Sequence, residues 1–555
     1  MLTHKKKLFA LTALSFCALT SAYADTFFSN MNAYTLNAKQ ELQRFDSMAV
    51  DDQGRILKTG MRAQLQKQFA KFEQVDLRGQ TVLPGLIDAH GHILGLGINQ
   101  SQLSLRATNS LAQAQAAITQ YGKQFPKNQW ILGGEWNQAI WKLGRFPTAA
   151  ELDTALADRP VWLRRVDGHA GWANSKALQL AGISRDTLDP PGGKIERDAA
   201  GNPSGILVDN AMSLMEKKLP PLNIAEQRAA LDAALQSLRE FGLTSVHDAG
   251  VSASTDKLFR EYAIYGKLTT RVVGMISGVD EFFDEVSKAG PLTSFADDRY
   301  SLRAVKLYAD GALGSRGAAL LQPYSDAPQT KGLLFVSDQT MLDMIRKAAI
   351  KGYQINVHAI GDAGNRQVID SFAQLPKTVG PKILRHRIEH AQVLDQADIA
   401  RVASLGLIPS MQPTHATSDM NMAEDRIGSE RIAGAYAWRS FLKQGSRIAC
   451  GSDFPIESAN PFLGMHAAIT RQDLNLKPEQ GWHAEQAMTR LEAFRCFTLD
   501  AAYAGHQENL VGSLEKGKWA DFIVIDRDFF QIPANEIHNI KVLQTFQAGQ
   551  QVFGP

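Results

Sequence analysis

The sequence predicts an α/β protein in which a (β/α)8 barrel is joined to a small β-sandwich domain made from both ends of the chain. Three observations favour this architecture. Eight apolar strand-like segments alternate with helical segments, short strands separated by turns occur at both ends, and one very long segment interrupts the alternation after the first strand. The chain has 555 residues, which is enough for a barrel and a smaller companion domain.

The first residues are typical of an export signal. Three lysines at 5–7 precede an apolar run at 8–18, and residues 22–24 form an A-x-A cleavage motif. The apolar run is too short to span roughly 30 Å of hydrocarbon, which disfavours the alternative of a retained membrane anchor. We therefore expect residues 1–24 to be removed, the mature protein to begin at Asp25, and its location to be periplasmic or secreted.

Charge and cysteine content narrow the class of protein further. Removal of residues 1–24 takes three lysines from the 59 basic residues and none of the 57 acidic ones, so the mature chain is nearly neutral. This balance gives no reason to expect nucleic acid or an anionic membrane as a partner. The partner that we expect is a small-molecule substrate. Cys450 and Cys496 either pair in an oxidising compartment or remain buried free thiols.

Turn-rich sequence with short strands marks residues 25–82 and 505–555. Strand-like runs at 48–50 and 56–57 flank a turn in the first segment, and runs at 522–525 and 542–546 occur in the second. We expect the two segments to pair into one composite β-sandwich domain.

The barrel, TIM-like in its strand count, is predicted over residues 83–504. Asn223 with Glu226 is typical of a helix N-terminus, and Gly242 is expected to end that helix before the next strand. The eight predicted strands are 82–87, 243–246, 271–276, 304–308, 354–357, 387–389, 407–411 and 448–450. Eight is the number of strands that closes this kind of barrel.

The segment 97–222 is far too long for an ordinary connection between a strand and the next helix. We interpret it as an inserted cap over the substrate, the alternative being an appendage remote from the site. Its aromatic side chains are expected to provide apolar walls; they include Trp130, Trp136, Trp141 and Trp172.

Histidines and one aspartate follow several predicted strands. His90 and His92 follow the first strand, His358 ends the fifth, His390 ends the sixth and Asp453 follows the eighth. Catalytic groups of such barrels lie at the carboxyl ends of strands, and imidazole and carboxylate suit zinc and similar divalent metals. Each residue has a structural alternative, a hydrogen-bonded histidine or a helix N-cap aspartate. The joint pattern among only 13 histidines favours a metal site.

Lys306 lies at the end of the fourth predicted strand. A lysine ammonium repels a metal ion, because its usual pKa is about 10.4 and it is therefore charged at neutral pH. From the residues alone, Lys306 is most simply a charge partner for Asp310.

Several motifs carry a family resemblance over almost the whole mature chain. They are VKLYADGALGSRGAAL, NVHAIGDAGNR, RIEHAQ, SMQPTHATSD, GSDFP and the C-terminal GSLEKGKWADFIVID. Together with the order HxH, Lys, His, His and Asp, they resemble the amidohydrolase superfamily, and within it the amidohydrolase family 3 branch that contains N-substituted formamide deformylases.

The resemblance implies a metal-dependent hydrolase with one or two divalent ions, zinc being expected. It implies that His90, His92 and Asp453 hold one metal and that His358 and His390 hold the other. It further implies that Lys306 is carboxylated by carbon dioxide and bridges the two ions.

The implied reaction is hydrolysis of a C–N bond in an amide, formamide or cyclic amide. Asp453 would take a proton from the attacking water and return it to the leaving nitrogen, which is otherwise a poor leaving group. Candidates for substrate contacts are His169, Arg316, His415 and Trp136, each of which also has a structural explanation.

Two alternatives remain open at this point. The same barrel can host an esterase, lactonase or phosphotriesterase, since the fold does not choose among these reactions. A catalytically inactive binding or scaffold protein would be expected to lack some of the site residues, and none is missing here. The sequence does not determine the physiological substrate, and it is compatible with a homo-oligomer.

Overall fold

A computed structural model describes residues 24–555 of the protein. The predicted export signal therefore lies outside the described residues, except for Ala24. Among residues 24–555, none of the helices is both long enough and apolar enough to cross a membrane.

Eight parallel strands form the central sheet, and their spatial order follows the chain. They are β1 Leu86–Gly91, β2 Leu243–Val251, β3 Arg271–Ser277, β4 Tyr300–Tyr308, β5 Gln354–Ala359, β6 Arg387–His390, β7 Ile408–Met411 and β8 Ala449–Cys450. A parallel bridge between Gly91 and Phe454 connects the two ends of the sheet, and the antiparallel strand Leu292–Phe295 pairs with β4. The result is a nearly closed α/β barrel.

Helices surround this sheet, and further helices belong to the insertion and to the N-terminal segment. The α-helices of the described residues are Arg62–Leu65, Ile93–Gln100, Leu111–Gln124, Ala149–Ala155, Ser175–Ala181, Met212–Glu216, Ile224–Glu240, Ala253–Ile264, Glu281–Val286, Asp338–Ala349, Asp362–Ala373, Pro381–Leu384, Gln396–Leu405, Pro413–Asp419, Ala423–Arg431, Trp438–Lys443, Pro461–Thr470, Arg490–Cys496 and Leu499–Ala504. Asn223 and Glu226 form the capping box of Ile224–Glu240, and Gly242 follows that helix with φ of 75°.

The first barrel strand begins later than predicted. Thr81–Pro84 pairs with Phe522–Ile525 in the sheet of the terminal segments, and β1 starts at Leu86. The apolar residues on both sides of Pro84-Gly85 favour a single strand over 82–87, although this Pro-Gly pair is a turn signal and the chain changes sheets there. Gly85 lies at the break and permits close packing, since a Cβ there would lie 2.0 Å from Thr244 Oγ1.

The terminal segments share one eight-stranded sheet. Its strands are Thr26–Leu36, Leu42–Val50, Ile56–Gly60, Glu73–Asp76, Thr81–Pro84, Phe522–Ile525, Val542–Gln547 and Gln550–Phe553. The predicted β-sandwich would have two facing sheets, whereas here the pairing is continuous because Thr26–Leu36 pairs along both of its edges. Phe28, Phe522 and Phe546 pack together in a buried cluster on this sheet.

The insertion has a six-stranded sheet of its own. Its strands are Leu103–Ser104, Ile131–Trp136, Val161–Arg165, Ala170–Ala173, Gly193–Arg197 and Pro203–Asp209. Trp136, Trp141 and Trp172 pack against one another in the core of this unit, with ring centroids 6.1–6.4 Å apart. These tryptophans therefore hold the insertion together, because their rings face its interior.

Cys450 and Cys496 are paired in a disulfide with their Cα atoms 5.1 Å apart. The bond connects β8 to the end of helix Arg490–Cys496, and both residues are buried. The open question of free thiols or a disulfide is thus answered in favour of the pair.

Candidate active site

The end of β1 carries the first two histidines and is fixed to the segment that holds Asp453. Asp88 and His90 lie on the same side of the strand because side chains alternate along it. The Asp88 carboxylate accepts hydrogen bonds from the His90 backbone N–H at 3.0 Å and from Ser452 Oγ at 2.6 Å. Burial raises the pKa of Asp88 to about 7. Asp88 was not among the residues predicted from the sequence.

Asp453 lies where the chain turns sharply after β8. Its φ is 61°, and its backbone N–H donates to the His90 carbonyl at 2.7 Å. Its Oδ1 lies 3.4 Å from His90 Nε2 and 3.2 Å from His92 Nε2. Burial alone would raise the pKa of Asp453, but the neighbouring His90, His92 and His390 hold it well below its usual range. The group is therefore a carboxylate at neutral pH.

His358 and His390 complete a ring of imidazoles. The His390 ring lies 4.6 Å from the His358 ring and 4.9 Å from the His90 ring, between centroids. His390 has a φ of 72°, and its Nδ1 is 2.8 Å from Gln412 Oε1. Because the amide oxygen can only accept, Nδ1 carries the proton in this hydrogen bond and Nε2 is left for the site.

Lys306 is nearly fully buried, with 1% of its surface exposed, and its Nζ lies 3.1 Å from His90 Nε2. Burial lowers the pKa of Lys306 to about 8. Asp310 is engaged elsewhere: its carboxylate accepts backbone hydrogen bonds from Ile360, Gly361 and Ala319 at 2.8–3.0 Å. The ion pairs of residues 24–555 do not include Lys306 with Asp310, so the simple charge-partner interpretation is not what the structure shows.

Glu389 was missed in the sequence, although it directly precedes His390 in β6. Its Oε2 is hydrogen-bonded to His90 Nδ1, and its Oε1 pairs with Arg387 Nε at 2.8 Å. Burial would raise the pKa of Glu389, but Arg387 and His90 hold it at about 2. The carboxylate thus fixes the His90 ring so that Nε2 faces Asp453. Alternation along β6, which turns Arg387 and Glu389 to the same side, is the signal that could have revealed it.

The donor set fits a divalent metal ion. One ligand atom each from His90, His390 and Asp453 lies within 4.8 Å of the other two, and all three residues are buried. Burial lowers the pKa of His90 to about 4 and that of His390 well below its usual value, so both imidazoles are neutral, as metal coordination requires. His90 also has the carboxylate partner on its second nitrogen that metal-ligating histidines commonly have.

Two of the four candidate substrate contacts lie at the site. His169 Nδ1 is 2.7 Å from Asp209 Oδ1, and its ring centroid is 5.1 Å from that of His358. His415 Nε2 is 3.9 Å from Asp453 Oδ2. Both histidines line a cavity next to Asp453.

Arg316 and Trp136 are placed differently. The Arg316 guanidinium pairs with Asp326 at 2.9 Å, and the Trp136 ring is fully buried with its Nε1 donating to the Leu163 carbonyl. Neither residue lines either of the two cavities at the site. Trp162 lines the larger one instead.

The larger cavity has a volume of about 610 Å³ and lies between the barrel end and the insertion. All six residues predicted as the metal centre line it, which are His90, His92, Lys306, His358, His390 and Asp453. A second cavity of about 440 Å³ is lined on one side by the same His358, His390 and Asp453. The structure therefore brings the six predicted residues together at the floor of a cavity that is open to solvent.

Comparison with known proteins agrees with this geometry. A model of the amidohydrolase family matches residues 73–553. The putative amidohydrolase YtcJ of Bacillus subtilis (strain 168) is 35% identical over 93% of this chain and 97% of its own length. The N-substituted formamide deformylase of Arthrobacter pascens is 28% identical over 95% of this chain and 97% of its own.

Among solved structures, an uncharacterized metal-dependent hydrolase from Pyrococcus horikoshii OT3 is similar, with a TM-score of 0.74 at 26% identity. The match covers 92% of this chain and 99% of that one. Since the family model spans residues 73–553 and the Bacillus subtilis relative aligns along nearly the whole of both chains, this protein belongs to the amidohydrolase family.

Proposed function

We propose that the protein is an exported metal-dependent hydrolase that cleaves the C–N bond of an amide, formamide or cyclic amide, with Asp453 as the proton shuttle. One observation carries the proposal: Asp453 is a buried carboxylate that faces His90 and His92 through Oδ1 and His415 through Oδ2. It lies where both cavities meet, so a bound substrate would be next to it.

In this proposal His90, His92 and Asp453 would hold one ion, and His358 and His390 would hold the other. A carboxylated Lys306 would bridge them. Zinc is the ion we propose, because neutral imidazoles and carboxylates are its usual ligands. When bound, such ions polarise a carbonyl oxygen and make water acidic enough to attack near neutral pH.

The residues of the chain then have separate tasks. Asp453 accepts a proton from the attacking water and delivers it to the leaving nitrogen, so that an amide and water become a carboxylic acid and an amine. Glu389 and Gln412 hold the His90 and His390 rings in one orientation. His169 and His415 line the smaller cavity with Asp453 and are proposed to contact the substrate.

Two facts support C–N bonds as the target. The Arthrobacter pascens relative is named for deformylation of N-substituted formamides, and other relatives with shorter alignments are named as deaminases.

The proposal of export is supported by the disulfide, since disulfides persist in oxidising compartments.

The test is the variant Asp453→Asn, which keeps the shape of the side chain but removes the proton acceptor. We expect kcat on an aryl amide to fall by roughly 10²–10⁴-fold, because proton transfer of this kind contributes about that much. The control is Asp343→Asn, since Asp343 is exposed and its carboxylate contacts Gln339 on the same helix.

Metal content and folding should be measured for both variants. Near-normal turnover by a folded, metal-loaded Asp453→Asn enzyme would reject Asp453 as the shuttle. A panel of amides, formamides, esters and phosphotriesters tests the bond class. Turnover of the esters or phosphotriesters alone would favour the other hydrolase classes.

A further inference from the structure

The two cavities at the site are parts of one divided space. The larger and the smaller cavity share nine lining residues, which are Glu135, Arg165, Val166, Asp167, His169, His358, His390, Asp453 and Ile456. Asp453 and the two barrel histidines form the common floor. The remaining shared residues come mainly from the segment 165–169 of the insertion, which descends between the cavities. We call this segment the partition.

The partition is held firmly from several directions. The Arg165 side chain is 3% exposed and donates to Gln138 at 2.8 Å and to Asp167 at 2.5 Å. His169 is fixed by Asp209, as described above. Gly168 makes the turn with φ of 73°, and a Cβ there would lie 3.1 Å from Ile456 Cδ1. The turn therefore packs against the loop that follows Asp453.

The larger chamber is mainly apolar away from the metal centre. Leu94, Ile98, Leu132, Trp162, Leu219 and Leu222 line this chamber and not the other. Two charged residues outside the metal centre line only this chamber, and both already have partners. Arg164 pairs with Glu216 at 2.6 Å, and Asp248 accepts a hydrogen bond from the Ile93 backbone N–H at 2.8 Å. This chamber suits an aromatic or aliphatic group.

The smaller chamber has an acidic edge beside apolar side chains, among them Leu105, Ile140, Leu313, Ile360 and Met420. Three carboxylates line it alone, those of Asp419, Glu457 and Asp473, together with Thr417 and Ser418. Arg106 is the arginine that lines this chamber alone, and it is already bonded to Glu135 at 2.8 Å and to the carbonyls of Pro455 and Ile456. The shared Arg165 is paired with Asp167. Ser418 donates to Glu457 and Tyr436 donates to Asp419, but no arginine or lysine pairs with these two carboxylates among the described residues. This acidic edge therefore suits a group that carries positive charge and N–H donors.

We infer that the substrate is a secondary amide with a substituent on each side of the scissile bond, an apolar one in the larger chamber and an amine-bearing one in the smaller. This inference rests on the proposed function. It follows from the position of Asp453 at the only floor that the two chambers share, because a bond cleaved there has one half of the substrate in each chamber. Addition of water then gives a carboxylic acid on one side and an amine on the other.

The first part of the experiment compares five amides on the metal-loaded enzyme. N-methylacetamide carries no arm, N-methylphenylacetamide carries the phenyl arm, and N-(2-aminoethyl)acetamide carries the ammonium arm. N-(2-aminoethyl)phenylacetamide and N-phenethyl-β-alaninamide carry both arms in the two orientations. We expect one of these last two to have kcat/KM at least tenfold above either one-armed amide, as expected when each arm adds binding.

The second part uses a matched pair of variants at the two cavity walls. Leu222 lines only the larger chamber and is 36% exposed, and Ile140 lines only the smaller chamber and is 42% exposed. Because both side chains reach solvent, a tryptophan can be placed at either position without disturbing a buried core. Leu222→Trp should reduce the gain from the phenyl arm by about tenfold, and Ile140→Trp should do the same for the ammonium arm.

Metal content and melting temperature of both variants should match those of the parent enzyme, which separates filling of a chamber from damage to the site. The inference is overturned if kcat/KM for the two-armed amides does not exceed kcat/KM for the one-armed amides. It is also overturned if both variants lower kcat/KM for all five amides equally. Absence of turnover for every amide, with esters still hydrolysed, would refute the proposed function and the inference together. Turnover of amides without the two-chamber pattern would refute the inference alone.

Discussion

His90 has a partner on each ring nitrogen, and the two partners have different consequences. Glu389 bonds Nδ1 and fixes the ring, while Nε2 faces Asp453 Oδ1 at 3.4 Å and Lys306 Nζ at 3.1 Å. An ammonium group next to a metal ligand opposes metal binding. A carbamate in the same place would add negative charge and oxygen ligands to a site of neutral imidazoles and one carboxylate.

Whether Lys306 is an amine or a carbamate is therefore the most informative point to test at this site. Its pKa of about 8 leaves part of the amine neutral near pH 7, and a neutral amine is the form that combines with carbon dioxide to give a carbamate and a proton. We expect Lys306→Ala to lose metal and activity together, measured as the metal-to-protein ratio and kcat. Acetate or propionate at high concentration should restore part of both.

Lys306→Arg separates the two interpretations of this residue. Arginine keeps a positive charge but forms no carbamate, so it should also lose metal. Lys518→Arg is the matched control, because Lys518 is largely buried and donates to Ser513 at 2.6 Å outside the cavities. Full metal binding and turnover in Lys306→Arg would rule out the bridge.

Sequence alone could place the strand-end residues but not the groups behind them. The order of the strands puts His358, His390 and Asp453 at one barrel end, and this follows from periodicity and chain order. Glu389 and Asp88 act through the side chains that they hold, and that role depends on distances across the barrel. Such distances are set by packing between strands far apart in sequence. Alternation along β6 places Glu389 on the same side as Arg387, but it does not identify His90 as the partner of Glu389.

The aromatic residues of the insertion show the same limit at the level of elements. Trp136 and Trp162 lie in neighbouring strands of one sheet, yet the first faces the core and the second lines the larger cavity. The sequence shows aromatic strands without showing which face meets the barrel. At 82–87 the apolar residues predict one strand, and Pro84-Gly85 signals a break without showing that the next strand belongs to another sheet.

The disulfide connects two elements that flank the site. Cys450 ends β8, three residues before Asp453, and Cys496 ends a helix on the outside of the barrel. The bond closes a segment with a sequence separation of 46 residues. A closed segment of this length restricts the unfolded chain, so removal should lower the free energy of unfolding by about 2–4 kcal/mol.

We expect the double variant Cys450→Ala/Cys496→Ala to unfold at lower denaturant concentration while it keeps its metal and kcat under native conditions. Parent enzyme measured with and without a thiol reductant provides the control. If the reductant and the double substitution both leave the unfolding midpoint unchanged, the pair contributes nothing to stability.

At the scale of the whole molecule, the predicted last residue of the export signal, Ala24, lies directly before the terminal sheet. The strand Thr26–Leu36 begins two residues after Ala24 and is part of the terminal sheet. A cleavage after Ala24 would therefore leave this strand intact.

We predict that the exported protein begins at Asp25. The basic start, the apolar run and the A-x-A motif motivate this prediction. Mass spectrometry of protein recovered from the periplasm or medium should give the mass of a chain that starts at Asp25. Recovery of a chain with an intact Met1 would contradict cleavage, and replacement of Ala24 by a bulky residue should cause the uncleaved form to accumulate.

The pairing of Thr81–Pro84 with Phe522–Ile525 also determines when folding can finish. These strands are separated by more than 400 positions, and the terminal sheet lacks its C-terminal strands until residues 522–553 have been synthesised. Until then Thr81–Pro84 has an unpaired edge, and closing so large a loop is slow. A growing chain therefore cannot complete this sheet during translation, and a chain that stops early never completes it. If the protein is exported as proposed, this delay would leave time for transport in an unfolded form.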